Sequence, residues 1–200
     1  GTTVTAFVGT FNGDNHIVSG LTDALFGFVK QSMIKNVKLA VAIANETGKI
    51  GGLIGSVTGS ATADIVTVDN VEVSGSVSGT TCVGGLIGWV NVPLTITNCV
   101  NRATVTATGQ FVGGVIGAHE TEKAGVNTKQ LTMTNCKNYG NVTSANAMVG
   151  GIIGISRKST GSSIDGCYNF GNVKGKTQVG GIVGLNRVPV KNSYCLSTAK

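Results

Sequence analysis

Proline is nearly missing from this chain, with two residues in 200. There is one tryptophan, aromatics make up 5% and charged residues 12%. That charge content is about half the usual share. With hydrophobic content at 41%, it excludes intrinsic disorder, which needs low hydrophobicity and high net charge. No apolar run approaches the roughly 20 residues of a spanning helix, so no membrane-spanning segment is expected here. Acidic residues are scarce late in the chain. Residues 123–200 hold ten basic side chains and one acidic, Asp165, for +9. Residues 1–122 hold five basic and eight acidic, for −3. Such asymmetry can mark a polyanion-binding end. The basic residues are spaced out, however, which reads as a solvated flank. Nucleic acid is not an expected partner, since no binding-fold motif is visible. No methionine opens the chain, and Gly1 reads as a cloning scar or the start of an excised fragment, so targeting information is missing rather than negative.

Glycine is abundant, with 31 residues, and it is periodic. The clearest unit is Val83-Gly84-Gly85-Leu86-Ile87-Gly88. It returns around Gly51, Gly52 and Gly55, Gly113, Gly114 and Gly117, Gly150, Gly151 and Gly154, and Gly180, Gly181 and Gly184. A worn copy is Ala24-Leu25-Phe26-Gly27. The closing glycines fall at 27, 55, 88, 117, 154 and 184, a period near 30. Self-similarity at this period marks a solenoid, whose coils bury apolar faces only against one another. Three glycines in six residues exclude a helix, because each costs roughly 1 kcal/mol against alanine. The unit reads as a short buried strand, its glycines allowing close backbone approach or a bend. The expected fold is all-β: a parallel β-helix of about six coils, right-handed by the rule for strand crossovers. Residues 1–200 read as one domain, with 1–23 as an N-terminal cap.

A second unit precedes each core. It reads Leu94 to Val105, then Leu131 to Val142, then Ser162 to Val173. Its apolar and polar residues alternate, as in a half-buried strand. Each coil therefore has three expected strands: one before the cysteine, one around Val105, Val142 or Val173, and the Gly-Gly core. Cys99, Cys136 and Cys167 fall in one column, and Val190 to Cys195 puts Ser193 in that slot. A disulfide would suit a secreted protein, but pairing two would leave the third single. A column of buried free thiols acting as small apolar groups is expected. No metal site is expected, since no C-x-x-C or histidine partner is near. Asn101, Asn138 and Asn169 form another column, placed to bond through stacked amides.

The opening F-V-G-T-F-N-G-D-N-H-I-V-S-G-L at 7–21, then A-L-F-G, then serial V-G-G-L-I-G closely resembles the GLUG-motif repeats. Those occur in bacterial surface and secreted proteins, including N-terminal regions of immunoglobulin-A-cleaving metalloproteases. The resemblance spans roughly residues 7–196 and implies architecture and an extracellular or cell-surface setting. It implies no activity, because the protease chemistry of that group sits in a separate zinc domain whose signature is absent here.

The longest step carries an insertion at 118–130, expected as a surface loop, since insertions in repeats map to loops. It holds His119, Glu120 and Glu122 without the second histidine of a zinc signature. Asp64, Asp69 and Glu72 are the densest carboxylates, as a polysaccharide-active β-helix enzyme would need paired ones, but they share one coil. No catalytic residue and no cofactor is expected. Recognition has a clearer motive. One and three places after each cysteine stand Val100 and Arg102, Lys137 and Tyr139, and Tyr168 and Phe170, with Tyr194 continuing the series. Extended backbone turns these to the face opposite the cysteine. Lys137, Tyr139, Tyr168, Phe170 and Tyr194 are therefore the candidate ligand-binding residues, suited to a glycan or host surface protein. The alternative is that the rings only stack as a corner ladder, and the chain is a spacer roughly 30 Å long.

Overall fold

The structure, a computed structural model, describes residues 5–46, 48–59, 64–119, 129–157 and 160–196. Among these residues there are 25 strands and no helix. They form a 20-stranded sheet that winds around the molecule and a separate five-stranded sheet. Neighbouring coils pair in parallel. The chain is a β-solenoid.

The register follows the repeat. Phe11, Ile34, Val68, Ile96, Met133, Ile164 and Val190 make one column, a rung per coil. Ile34 to Ile164 in that column are fully buried. Burial of such side chains contributes about 1.5–3 kcal/mol each, and only stacking achieves it. Phe7 and Phe11 pack on Phe26 at 4.7 and 5.4 Å between ring centroids, closing the core at the first coil. Within residues 1–23, expected as a cap, Phe7–Asn12 and Ile17–Leu21 pair strand to strand with the next coil.

The coils have more corners than the three expected strands. The coil from Leu94 has five: Leu94–Thr97, Val100–Asn101, Thr104–Ala107, Val112–Gly113 and Ile116–His119. Two kinds of corner divide them. Asn36, Asn70, Asn98, Asn135 and Asn192 adopt φ of 44–55°, and Gly166 takes the same place at 59°. Asparagine and glycine are the residues that visit this left-handed region readily. The second corner lies before the glycine unit, where Lys49, Cys82, Phe111, Met148 and Gln178 have φ of 53–66°.

The glycine unit is two strands, not one. Val83–Gly84 belongs to the small sheet and Ile87–Val90 to the large one, with the chain bending between them. The Val-Gly strand of one coil lies against the closing glycine of the next. A Cβ at Gly117 would sit 2.6 Å from the Cys82 carbonyl carbon and 2.7 Å from the Val83 nitrogen.

The insertion also departs from expectation at its start. Ala118 and His119 continue a strand, in register with Trp89 and Val90, and both are fully buried. Parallel pairing holds them before the chain leaves the wall. Residues 120–128, with Glu120 and Glu122, lie outside the described residues.

Candidate functional site

The strand after each cysteine alternates outward, inward, outward. Its inward residues are Asn101, Asn138 and Asn169, all fully buried. Asn101 Nδ2 donates to Asn138 Oδ1 at 2.7 Å, and Asn138 Nδ2 to Asn169 Oδ1 at 2.8 Å. Each amide also closes a turn on the residue two places on, as Asn138 does with the Gly140 N–H and carbonyl. The second glycine of each pair faces these amides. A Cβ at Gly114 would fall on the Asn138 carboxamide, and one at Gly151 on that of Asn169. The glycine and asparagine columns are therefore one device, with the amide filling the space a side chain would take. The thiols lie in the same wall. Cys99, Cys136 and Cys167 are fully buried and form no disulfide. Cys167 is held above the ordinary thiol range by its hydrogen bond with Cys136 and by burial. Cys136 is likewise raised, so these two thiols are protonated and inert at neutral pH.

The outward residues form two columns. One runs Glu72, Val100, Lys137, Tyr168, Tyr194. The other holds Arg102, Tyr139, Phe170 and Leu196, each backbone N–H reaching the coil below in the same way. Tyr139 and Phe170 stack at 4.7 Å with 5° between planes, and Tyr168 and Tyr194 at 5.9 Å with 25°. Arg102 caps Tyr139 at 4.7 Å and pairs with Glu72 at 3.1 Å. That ion pair is solvent-exposed and contributes little to stability. All five candidate binding residues thus share one face. Their rings do not lie flat to solvent as open platforms. Stacking turns Tyr139 and Phe170 against each other and leaves edges outward, while Tyr194 is 58% exposed. Beside this ladder runs an open groove of about 360 Å³ lined by Asn98, Val100, Asn135, Lys137, Gly166 and Tyr168. The sequence reading named Lys137 and Tyr168 but missed the asparagine wall. Its signal was the Asn-or-Gly choice before each cysteine, the mark of a left-handed corner.

Two further features were not anticipated. Cys82, Trp89, Ala118 and Ile155 form a second apolar cluster with Phe111, Met148 and Leu185, apart from the main core. Lys49 lies 3.9 Å over the Trp89 ring. The second is His119. Its Nε2 lies 2.9 Å from the Lys129 carbonyl, so it carries the proton, and Nδ1 is left to accept from the Ser156 hydroxyl at 3.5 Å. Burial lowers its pKa to about 4. The folded chain therefore resists protonation that the unfolded chain accepts near 6.5. Stability is full above that value, falls as pH drops towards 4, and levels off below. Between pH 6.5 and 5 the expected loss is about 2 kcal/mol. Urea unfolding of wild type and His119→Gln at both pH values checks this. The variant keeps a donor for Lys129, and its stability is expected to change far less.

No protein-family model matches the chain. Halomucin of Haloquadratum walsbyi is 33% identical over a 151-residue alignment covering 58% of this chain and 2% of that protein. Among solved structures, a chain described as a “putative immunoglobulin A1 protease” from Bacteroides ovatus superposes with a TM-score of 0.73. The match covers 92% of this chain and 59% of that one, at 23% identity. The two share a fold. At this identity the likeness extends to the solenoid alone, and this chain spans less than two thirds of either relative.

Proposed function

We propose that this chain is a non-catalytic recognition module of a secreted or cell-surface protein. It holds a glycan or an extracellular host protein on the face of Lys137, Tyr139, Tyr168, Phe170 and Tyr194. The observation that carries this reading is the rigid column of rings beside a groove with a cation and two amides. Rings, a cation and amides in register are suited to extended polymers, because each coil adds a further contact about 4.8 Å along the face. The solenoid agrees with the GLUG-type repeat that the sequence resembles. The extracellular setting is drawn from the names of the two similar proteins, a halomucin matched in sequence and a “putative immunoglobulin A1 protease” matched in fold.

A glycan and matrix-protein array tests this, run with wild type and the Tyr168→Ala/Tyr194→Ala double variant at low and high salt. A specific signal that the double variant lowers at least tenfold is the expected result. The second reading is a spacer within a longer protein. It draws on the mutual stacking of Tyr139 and Phe170, which uses ring faces a ligand would need. A blank array, with the double variant altered only in melting temperature, would favour the spacer. A signal that merely fades with salt would point to diffuse charge.

A further inference from the structure

At the asparagine corner most side chains bond to the neighbouring coil, some to another asparagine and some to an aspartate. Asn70 Nδ2 donates to Asn36 Oδ1 at 2.9 Å, Asn98 Nδ2 to Asp69 Oδ1 at 2.9 Å, and Asn192 Nδ2 to Asp165 Oδ1 at 2.9 Å. Gly166 takes this corner in the next coil and has no side chain to set above Asn135. The result is a notch. Its lining comes from three successive coils in two adjoining columns: Asn98, Asn135 and Gly166, then Val100, Lys137 and Tyr168. Among the described residues neither the Asn135 carboxamide nor the Lys137 ammonium has a hydrogen-bond or ion-pair partner. The nearby carboxylates are already engaged. Asp69 accepts from Thr97 and Asn98, Asp165 from Asn192, and Glu72 pairs with Arg102. The notch thus offers a cation without an ion-pair partner, the Asn135 carboxamide, the Asn98 Oδ1 acceptor and an aromatic wall. At about 360 Å³ it lies near the small end of the roughly 300–1,000 Å³ typical of small-ligand sites.

We propose that this notch binds one acidic sugar residue of a polysaccharide, a hexuronate in class. Its carboxylate sits on Lys137 Nζ, its hydroxyls on the Asn98 and Asn135 amides, and its C–H face against Tyr168. An acidic peptide fits less well. Peptides are commonly held by adding a strand to a free sheet edge. Here the floor strand Tyr168–Asn169 is paired on both sides, to Lys137–Asn138 and to Tyr194–Cys195. The notch therefore offers side-chain chemistry, which suits a sugar. This inference rests on reading the face as a recognition surface.

The decisive variant refills the notch. Gly166→Asn restores the residue that five other coils carry at this corner, and the φ of 59° accommodates it. The new Cβ would meet only the movable Asn135 side chain, at 2.8 Å from its Oδ1, so the fold is expected to hold and a melt checks this. Calorimetric titration uses tetrasaccharides of hyaluronan, galacturonan and alginate, the carboxyl-reduced form of each, and hexaglutamate. At least one uronate tetrasaccharide is expected to bind. Carboxyl reduction, Gly166→Asn and Lys137→Gln are each expected to weaken it at least tenfold, and hexaglutamate to bind at least tenfold more weakly. No binding of any uronate would overturn the inference, as would binding that survives Gly166→Asn or hexaglutamate binding equally well. A neutral-glycan or protein signal that depends on Tyr194 while the uronates stay silent would remove this inference and leave the recognition reading standing. Silence in both experiments would remove both.

Discussion

Asn138→Ala is expected to destabilise the chain by about 4 kcal/mol, since each buried group left without a partner costs about 1–3 kcal/mol. The amide makes four hydrogen bonds, to Asn101, to Asn169, and two to the Gly140 backbone. Its removal strands the Gly140 N–H and carbonyl in the wall and takes one partner each from Asn101 and Asn169. It also leaves a void against Gly114, whose missing side chain the amide replaces. For a chain of this size the melting temperature should fall by roughly 8–16 °C. Asn135→Ala is the control, being exposed and three residues away. There alanine loses only an easy left-handed corner, worth roughly 1–2 kcal/mol. Thermal and urea unfolding of both variants check the contrast. Equal losses would mean that the buried amides are not a ladder.

The second large effect sets two glycines of the same motif position against each other. Gly117→Ala is expected to cost more than about 3 kcal/mol, the upper range for overpacking a close-packed interior. The added methyl would lie 2.6 Å from the Gly88 carbonyl oxygen and 2.7 Å from the Val83 nitrogen. Both are backbone atoms held in parallel ladders, so neither has a rotamer through which to yield. Gly27→Ala, at the corresponding place in the worn copy, meets nothing within 4 Å. No Val-Gly strand precedes Gly27 among the described residues, so nothing lies over it. That variant should stay within about 0.5 kcal/mol of wild type, as surface substitutions do. Soluble yield and urea midpoints of the pair are the readout. A tolerated Gly117→Ala would refute the layering of the small sheet on the large one.

Much of this was legible because a solenoid writes its contacts into its period. Gly55, Gly88, Gly117, Gly154 and Gly184 share a register position, as their spacing implied. So do Asn101, Asn138 and Asn169, whose amides bond in sequence. The Gly-Gly unit was misread as one strand, because glycine serves both close approach and bending, and composition does not separate the two. The corner at Cys82, Phe111 and Met148 was hidden for a different reason. These residue types do not favour positive φ, so nothing local announces the turn. It is held by packing, since their side chains fill the cluster around Trp89 and Ile155. His119 was placed in a loop because polar neighbours surround it in sequence. The register puts it instead under the wall, where valines stand in the two coils before. At the candidate site the outward ring columns could be read by alternation. The notch could not, because it depends on Gly166 lacking a side chain that its neighbours supply.

The most direct test of the recognition face is an amide NMR footprint of whichever glycan or matrix protein gives the strongest array signal. The account expects shifts to gather at residues 98–102, 135–139, 166–170 and 194–196, four stretches far apart in sequence and stacked in space. Shifts gathered instead around Lys174, Lys176 and Arg187, or spread evenly over the basic half, would contradict it and place binding elsewhere on the solenoid.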